Sequence, residues 1–322
     1  MGIHKTKIGI VGVGHVGAHC AYSLLIQGLA DELVLVDINE KKLESEVQDL
    51  RDSVVYTPHN CTITAGTYED LADCNIIVNA VGNIGLIAAG DRVLETEFTI
   101  QAVNGYVKKV VEAGFDGIWI NITNPCDIVT RQIALLSGLP KGHVFGTGTG
   151  LDTSRLKAIL AKETGYDPKS FDGYVLGEHG KKQTVPWSTI TFGGKSIAEL
   201  VKSDDKFQFD LDDAAKKVHD NAWVTYNGKG CTEYGICSTL ARIVKAVIHD
   251  EKVILPTSAP LDGEYGIHDI YVGVPAVVGK DGIEKVVELP LNAEEQKAFE
   301  ECCEGVRQNI RDAKEKGIDV II

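Results

Sequence analysis

The chain has 322 residues, 44% of them hydrophobic, and a formal net charge of −14 at pH 7. That length supplies ample core for one large or two medium domains, and the acidic balance argues against a nucleic-acid or anionic-membrane surface. No apolar run approaches the roughly 20 residues of a membrane span.

The first six residues, Met1-Gly2-Ile3-His4-Lys5-Thr6, fit a loose myristoylation pattern. A strand pattern already begins at Lys7, so the segment reads as unmodified, with no room for a signal peptide and a cytoplasmic location expected. The eight cysteines are scattered without a C-x-x-C pair or Cys/His metal spacing. Reduced thiols are expected, with neither a disulfide nor a metal.

The strand pattern at 7–11 runs into Gly12-Val13-Gly14-His15-Val16-Gly17, which opens a helical pattern; a second strand follows at 32–36, with Asp37 at its end. This is G-x-G-x-x-G between strand and helix with an acid about 20 residues on. The first glycine makes the turn, the second admits a pyrophosphate and the third lets helix and strand pack closely. The N–H groups at the start of the helix would face the phosphates. Asp37 would accept from a ribose 2′-hydroxyl and repel a 2′-phosphate, so the reading is NAD over NADP. The alternative is a structural turn that binds nothing.

Further strand patterns at 62–65, 75–80, 117–121 and 144–146 alternate with helical ones at 40–53, 93–113 and 127–136. Strands separated by helices imply right-handed crossovers, and residues 1–147 are expected to form a doubly wound parallel Rossmann sheet. Loops at 12–17, 37, 82–92 and 121–125 all follow strand ends and should converge on one crevice. Residues 148–322 change character. Helical patterns at 151–163, 211–226, 232–250 and 292–316 accompany strand patterns at 173–176, 185–192, 252–258, 271–278 and 283–289. Strands joined by glycine turns suggest antiparallel hairpins packed on helices, an α+β substrate domain.

Four features could carry chemistry. The segment from Gly82 to Arg92 is glycine-rich and apolar with Arg92 its only cation; it could close over a substrate or be a loop with a solvated arginine. Asn124 at a strand end could fix a substrate oxygen or cap the helix beyond Pro125. Asp152 and Arg155 share a helix face, which alone reads as an i,i+3 ion pair. His179, between glycines in Gly177-Glu178-His179-Gly180, is expected to be exposed and is the first candidate for proton transfer; an uninvolved loop histidine is the alternative.

These motifs, together with Gly148-Thr149, Leu151-Asp152-Thr153-Ser154-Arg155 and Asn227-Gly228-Lys229-Gly230 with Thr232, resemble the L-lactate/malate dehydrogenase family along nearly the whole chain. Within it, the sequence is most similar to the members that act on 2-hydroxyisocaproate. The resemblance implies an NAD-dependent L-2-hydroxyacid dehydrogenase in which His179 exchanges a proton with the substrate oxygen and Asp152 orients its ring. Arg155 would fork onto the substrate carboxylate, Arg92 would polarise the carbonyl, and Asn124 would bond near the reacting oxygen and the nicotinamide. Thr232 would line the substrate pocket and Ile236 would pack on the nicotinamide. Gly12, Gly14, His15, Val16, Gly17, Asp37 and Gly82 would complete the cofactor site.

No Lys or Arg lies between Gly82 and Arg92, so a dicarboxylate would bury an unpaired charge. The glutamine of lactate readers gives way to Gly85-Leu86-Ile87, and Leu86 or Ile87 would favour a larger apolar side chain at about 0.8 kcal/mol per buried CH₂. The expected substrate is therefore a 2-oxo monocarboxylate of that kind. The alternative is L-lactate, and less favoured is a dinucleotide-binding protein without catalysis. Fructose bisphosphate activation is not expected, because Lys157 and Asp172 fall where activated members carry Arg and His. A homo-oligomer, dimer or tetramer, is expected.

Overall fold

The structure is a computed structural model that describes residues 5–83, 85–86, 92–180 and 182–322, with 92 and 93 described by their backbone alone. Residues 1–4, which carry most of the myristoylation pattern, lie outside the described residues.

The first half is a parallel sheet. Strands β1 (Lys7–Val11), β2 (Glu32–Val36), β3 (Thr62–Ala65), β4 (Ile76–Asn79), β5 (Ile118–Asn121) and β6 (Val144–Gly146) stand in the order β3-β2-β1-β4-β5-β6. Register runs Lys7↔Glu32 on one side of β1 and Ile8↔Ile76 on the other. Near-continuous apolar strands such as Ile76–Asn79, buried at every position, are what a sheet covered on both faces requires. The covering helices are α1 (His15–Ile26), α2 (Glu40–Ser53), α3 (Arg92–Glu112) and α4 (Cys126–Ser137). Strand order reverses between β1 and β4, so the crevice opens beyond their carboxyl ends.

The sheet does not stop at β6. Gly146 pairs antiparallel with Ser258 of β12 (Val253–Asp262), which pairs with β13 (His268–Gly279). Beyond lie β14 (Gly282–Val286), β8 (Leu176–Gly177) and β9 (Gln183–Thr184), making one eleven-stranded sheet, parallel in its first half and antiparallel in its second. The two halves of the chain thus share a continuous backbone ladder and one main core, from Ile8 to Val320.

A smaller core gathers Leu156, Leu160, Phe171, Ile190 and Phe207. It lies among α5 (Gly150–Thr164), α6 (Ile197–Ser203), α7 (Leu211–Lys229) and the three-stranded sheet of β7 (Phe171–Asp172), β10 (Thr191–Phe192) and β11 (Lys195–Ser196). Sequence patterns mislead here. The expected strand at 173–176 is reduced to Leu176–Gly177, because Gly173 turns the chain at φ +133°. The run at 185–192 keeps only its last two residues as strand, because a turn from Pro186 to Thr189 interrupts it. α8 (Tyr234–Ile248) and α9 (Ala293–Glu315) complete the chain. Asn292 caps α9 in a box with Glu295, and Phe299, Cys303 and Ile310 form its buried face. No helix among the described residues is long and apolar enough to cross a membrane.

Candidate active site

Gly12 leaves β1 at φ +90° and donates its N–H to Val36 O at 2.8 Å. A Cβ on Gly17 would stand 1.8 Å from Gly12 O, so turn and helix can touch only through a glycine. Gly14, the residue before α1, gives the helix no side-chain cap, and a Cβ there would meet nothing within 4 Å. An uncapped helix start beside open space suits a phosphate. Asp37 is fixed at the end of β2: one carboxylate oxygen accepts from Val13 N–H at 2.8 Å, the other from Asn39 N–H at 2.9 Å.

A cavity of about 610 Å³ opens on this turn, and its walls include Gly14, His15 and Val16, then Gly82, Asn124, Arg155 and His179, then Thr232 and Ile236. Gly12, Gly17 and Asp37 are not part of that wall, and neither is Asp152, which stands behind His179. Leu86 is half-buried, its N–H on Asn83 O at 3.1 Å, and does not line the cavity. Ile87 and the side chain of Arg92 lie outside the described residues. Phe98, His219, Trp223 and Tyr226 also line the cavity, and sequence reasoning passed over them. The spacing of the last three puts them on one face of α7, the signal that could have pointed to them.

The His179 ring is not exposed as expected: its side chain is 19% accessible because the loop folds onto α5. There Nδ1 lies 2.6 Å from Asp152 Oδ2. A carboxylate only accepts, so Nδ1 carries the hydrogen and Nε2 is left for other partners. The other Asp152 oxygen accepts from Arg155 Nη1 at 3.3 Å. Asp152 is buried, so both of its oxygens are matched to cationic or hydrogen-bearing groups, as a buried charge requires. Burial pushes the Asp152 carboxyl up, but His179 and then Arg155 outweigh it and hold it below the usual carboxylate range. Burial pushes His179 down, while the Asp152 carboxylate outweighs that and raises it. Burial lowers the Arg155 guanidinium from its ordinary value.

Asn124 does not cap α4, whose start at Pro125 has no side-chain cap. The end of β5 is anchored instead by Asn121, which accepts from Asn79 Nδ2 at 2.8 Å and donates to Thr130 Oγ1 at 3.0 Å. Thr123 adds a bond to Val81 O at 2.7 Å. These buried contacts fix the loop that carries Asn124 at the cavity wall.

A second buried carboxylate, Asp127, escaped sequence reasoning. Its oxygens accept from Ser258 Oγ at 2.6 Å and from the His179 N–H at 3.3 Å. Burial pushes its carboxyl up to about 7. It thus links α4, β12 and the histidine loop.

Residues 6–146 match the NAD-binding domain of the lactate/malate dehydrogenases, and residues 149–317 match their α/β C-terminal domain. The chain is 43% identical over 315 residues to the L-lactate dehydrogenase of Fusobacterium nucleatum, covering 97% of this chain and 98% of that one. It is 41% identical over 306 residues to L-lactate dehydrogenase 3 of Bacillus anthracis, covering 92% and 94%. Among solved structures it superposes with a TM-score of 0.89 on the ligand-bound minor L-lactate dehydrogenase of Enterococcus mundtii, at 37% identity over 94% of this chain and 97% of that one. A lactate dehydrogenase from a Medee basin deep-sea metagenome superposes at 0.91, with 34% identity over 97% and 100%. With both of its halves matched and relatives of this identity along its length, the chain belongs to the lactate/malate dehydrogenase family and is an NAD-dependent 2-hydroxyacid dehydrogenase.

Proposed function

We propose that the chain interconverts a 2-oxo and an L-2-hydroxy monocarboxylate, with pyruvate and L-lactate as the preferred pair. The observation that carries the chemistry is the 2.6 Å contact between His179 and a buried Asp152 that also engages Arg155, all beside the cavity opened by the glycine turn. The relatives named for L-lactate favour lactate over the 2-hydroxyisocaproate expectation.

The glycine turn with Asp37 would hold NADH, which when bound would supply the hydride for the substrate's C2. Protonated His179 gives its Nε2 proton to the 2-oxo oxygen, and in the reverse direction takes it from the hydroxyl. Asp152 keeps the ring in the orientation and tautomer that expose Nε2, and stabilises the imidazolium. Arg155 accepts the substrate carboxylate in a two-bond fork that a lysine cannot make. Arg92, the only cation between Gly82 and the start of α3, polarises the carbonyl. Asn124 and Thr232 would position the substrate, Val16 and Ile236 would pack on the nicotinamide, and the uncapped start of α1 would take the pyrophosphate.

Lys157 is half-buried against Asp172, and a phosphate at that acid is disfavoured, so fructose bisphosphate leaves the rate unchanged. The strongly exposed Val55 and Tyr56 support association into a homo-oligomer. A second reading, a larger apolar side chain on the substrate, is favoured by the aromatic Phe98, Trp223 and Tyr226 in the cavity wall. A panel of pyruvate, 2-oxobutyrate, 2-oxoisocaproate and oxaloacetate, each with NADH and NADPH, decides. Pyruvate with NADH is expected to give the highest kcat/KM. A higher value for 2-oxoisocaproate selects the second reading, and oxaloacetate outrunning every monocarboxylate refutes both.

A further inference from the structure

The fold brings together three side chains of metal-ligating type from distant parts of the sequence. His15 opens α1, while Cys231 and Glu233 lie just before α8. One ligand atom from each lies within 4.8 Å of the others. Glu233 is buried, and its two oxygens are divided. Oε2 is taken by Lys229 Nζ. Oε1 faces His15 Nδ1 at 3.3 Å and His19 Nδ1 at 3.6 Å.

The His15 separation is long for a hydrogen bond to a carboxylate; the His179–Asp152 contact in the same chain is 2.6 Å. It is close to the separation of two ligands on one tetrahedral ion. With metal–nitrogen and metal–oxygen bonds of about 2.0–2.1 Å, neighbouring ligands stand about 3.3 Å apart. A thiolate, an imidazole and a carboxylate form a borderline-soft set that suits Zn²⁺ and its analogues and not Mg²⁺ or Ca²⁺.

We propose that His15, Cys231 and Glu233 form a binding site for a borderline divalent cation, Zn²⁺ foremost, in the wall of the cofactor cavity. Glu233 binds through Oε1 alone, since Lys229 retains Oε2. Cys231 binds as the thiolate and releases its proton to solvent. Three protein ligands leave a fourth position for water. Because His15 and Cys231 both line the cavity, the ion reaches the site through it. Once bound, it ties the segment that carries Thr232 to the first turn of α1.

The test is titration of the whole protein with Cd²⁺ and with Co²⁺, followed by thiolate-to-cadmium charge transfer in the ultraviolet and the visible bands of tetrahedral cobalt. One ion per chain is expected, displaced by Zn²⁺ and not by Mg²⁺. Cys231→Ser should abolish the cadmium band. His15→Asn and Glu233→Gln should each weaken binding about tenfold or more, since even outer-shell partners of a metal site cost that much. Absence of a band in the unmodified protein, or an undiminished band in Cys231→Ser, overturns the site. Unchanged affinity in both His15→Asn and Glu233→Gln also overturns it, reducing the feature to a reactive thiol. His15 is exposed, so its variant folds and keeps the test decisive if a change at Cys231 does not.

Discussion

Asp152→Asn is the sharpest probe of the proposed chemistry, because it removes one charge and almost no volume. In the native protein the two oxygens of Asp152 serve two hydrogen-bearing partners, His179 Nδ1 at 2.6 Å and Arg155 Nη1 at 3.3 Å. An amide has one acceptor oxygen and one donor nitrogen. If its oxygen faces His179, its NH₂ confronts the guanidinium. If its oxygen faces Arg155, its NH₂ meets Nδ1 and disfavours the doubly protonated ring that reduction needs. Losing a correctly oriented proton donor costs about 3–5 kcal/mol of transition-state stabilisation, the scale of positioned acid–base catalysis. At about 1.4 kcal/mol per factor of ten, kcat/KM for pyruvate reduction should fall between about 10² and 10⁴. The pH profile adds a signature that simple damage lacks. Burial pushes the imidazole down and Asp152 more than restores it, so without the carboxylate the ring loses its proton at a lower pH. The limb on which pyruvate reduction declines with rising pH should therefore move to lower pH. Initial rates of NADH oxidation across pH, with NADH affinity from fluorescence titration, read both effects. A limb that stays in place, or a rate that falls only in step with NADH affinity, refutes the assignment of Asp152 as the partner of the proton donor.

Arg155→Lys should raise KM for pyruvate by tenfold or more at unchanged NADH affinity, since an ammonium cannot reproduce a fork; an unchanged KM, measured by steady-state kinetics, removes the carboxylate from this residue. Asp37→Ser removes the negative charge facing a 2′-phosphate, so the ratio of kcat/KM for NADPH to that for NADH should rise by at least about tenfold; a constant ratio means that Asp37 does not choose the cofactor. Burial raises the Asp127 carboxyl to about 7 in the folded chain, against an ordinary value of 3.8. Between those values the folded state holds the proton more tightly, so this group's contribution to stability falls as pH rises from about 4 to 7, by up to roughly 1.4 kcal/mol per pH unit. Asp127→Asn should flatten that stretch of the denaturation profile, measured in urea at successive pH values; an unchanged slope contradicts the buried, protonated carboxyl.

The parallel half of the fold was legible because its strands are continuous apolar runs bounded by helices. The pattern at 32–36 needs no partner to be recognised, and it matches β2 residue for residue. The antiparallel half was read less well. The strand pattern at 252–258 continues to Asp262 through Pro256 and Pro260, residues that local rules count against a strand. Each proline stands opposite a residue of β13, Pro256 against Pro275 and Pro260 against Tyr271. The pairing of Ser258 with Gly146, which joins the two halves into one sheet, is a contact between distant segments that no local pattern announces. α6 escaped notice for a different reason. Its seven residues are too few for periodicity to show, and only the capping box of Ser196 with Glu199 marks it.

The same distinction separates the parts of the site. His179 and Gly17 stood out because close approach to a neighbour demands glycine around them, and glycines are visible in a sequence. Asp127 did not, because its significance lies in Ser258 and in a backbone N–H of the histidine loop, both far along the chain. His15 belonged to a recognised motif, yet what its ring faces is set by Glu233, just before the helix that packs against α1. Substrate choice is the limiting case. The charge-bearing residues are few, and the roles proposed for Arg155 and His179 each require a particular side chain that a sequence displays directly. The cavity is a volume enclosed by several segments, including Phe98, Trp223 and Tyr226, and no single residue type encodes a volume. Leu86 is off the cavity wall, so the second reading, a preference for longer alkyl side chains, turns on the fit of a substrate between the cavity walls from α3 and α7, which a series of 2-oxo acids of increasing length measures directly.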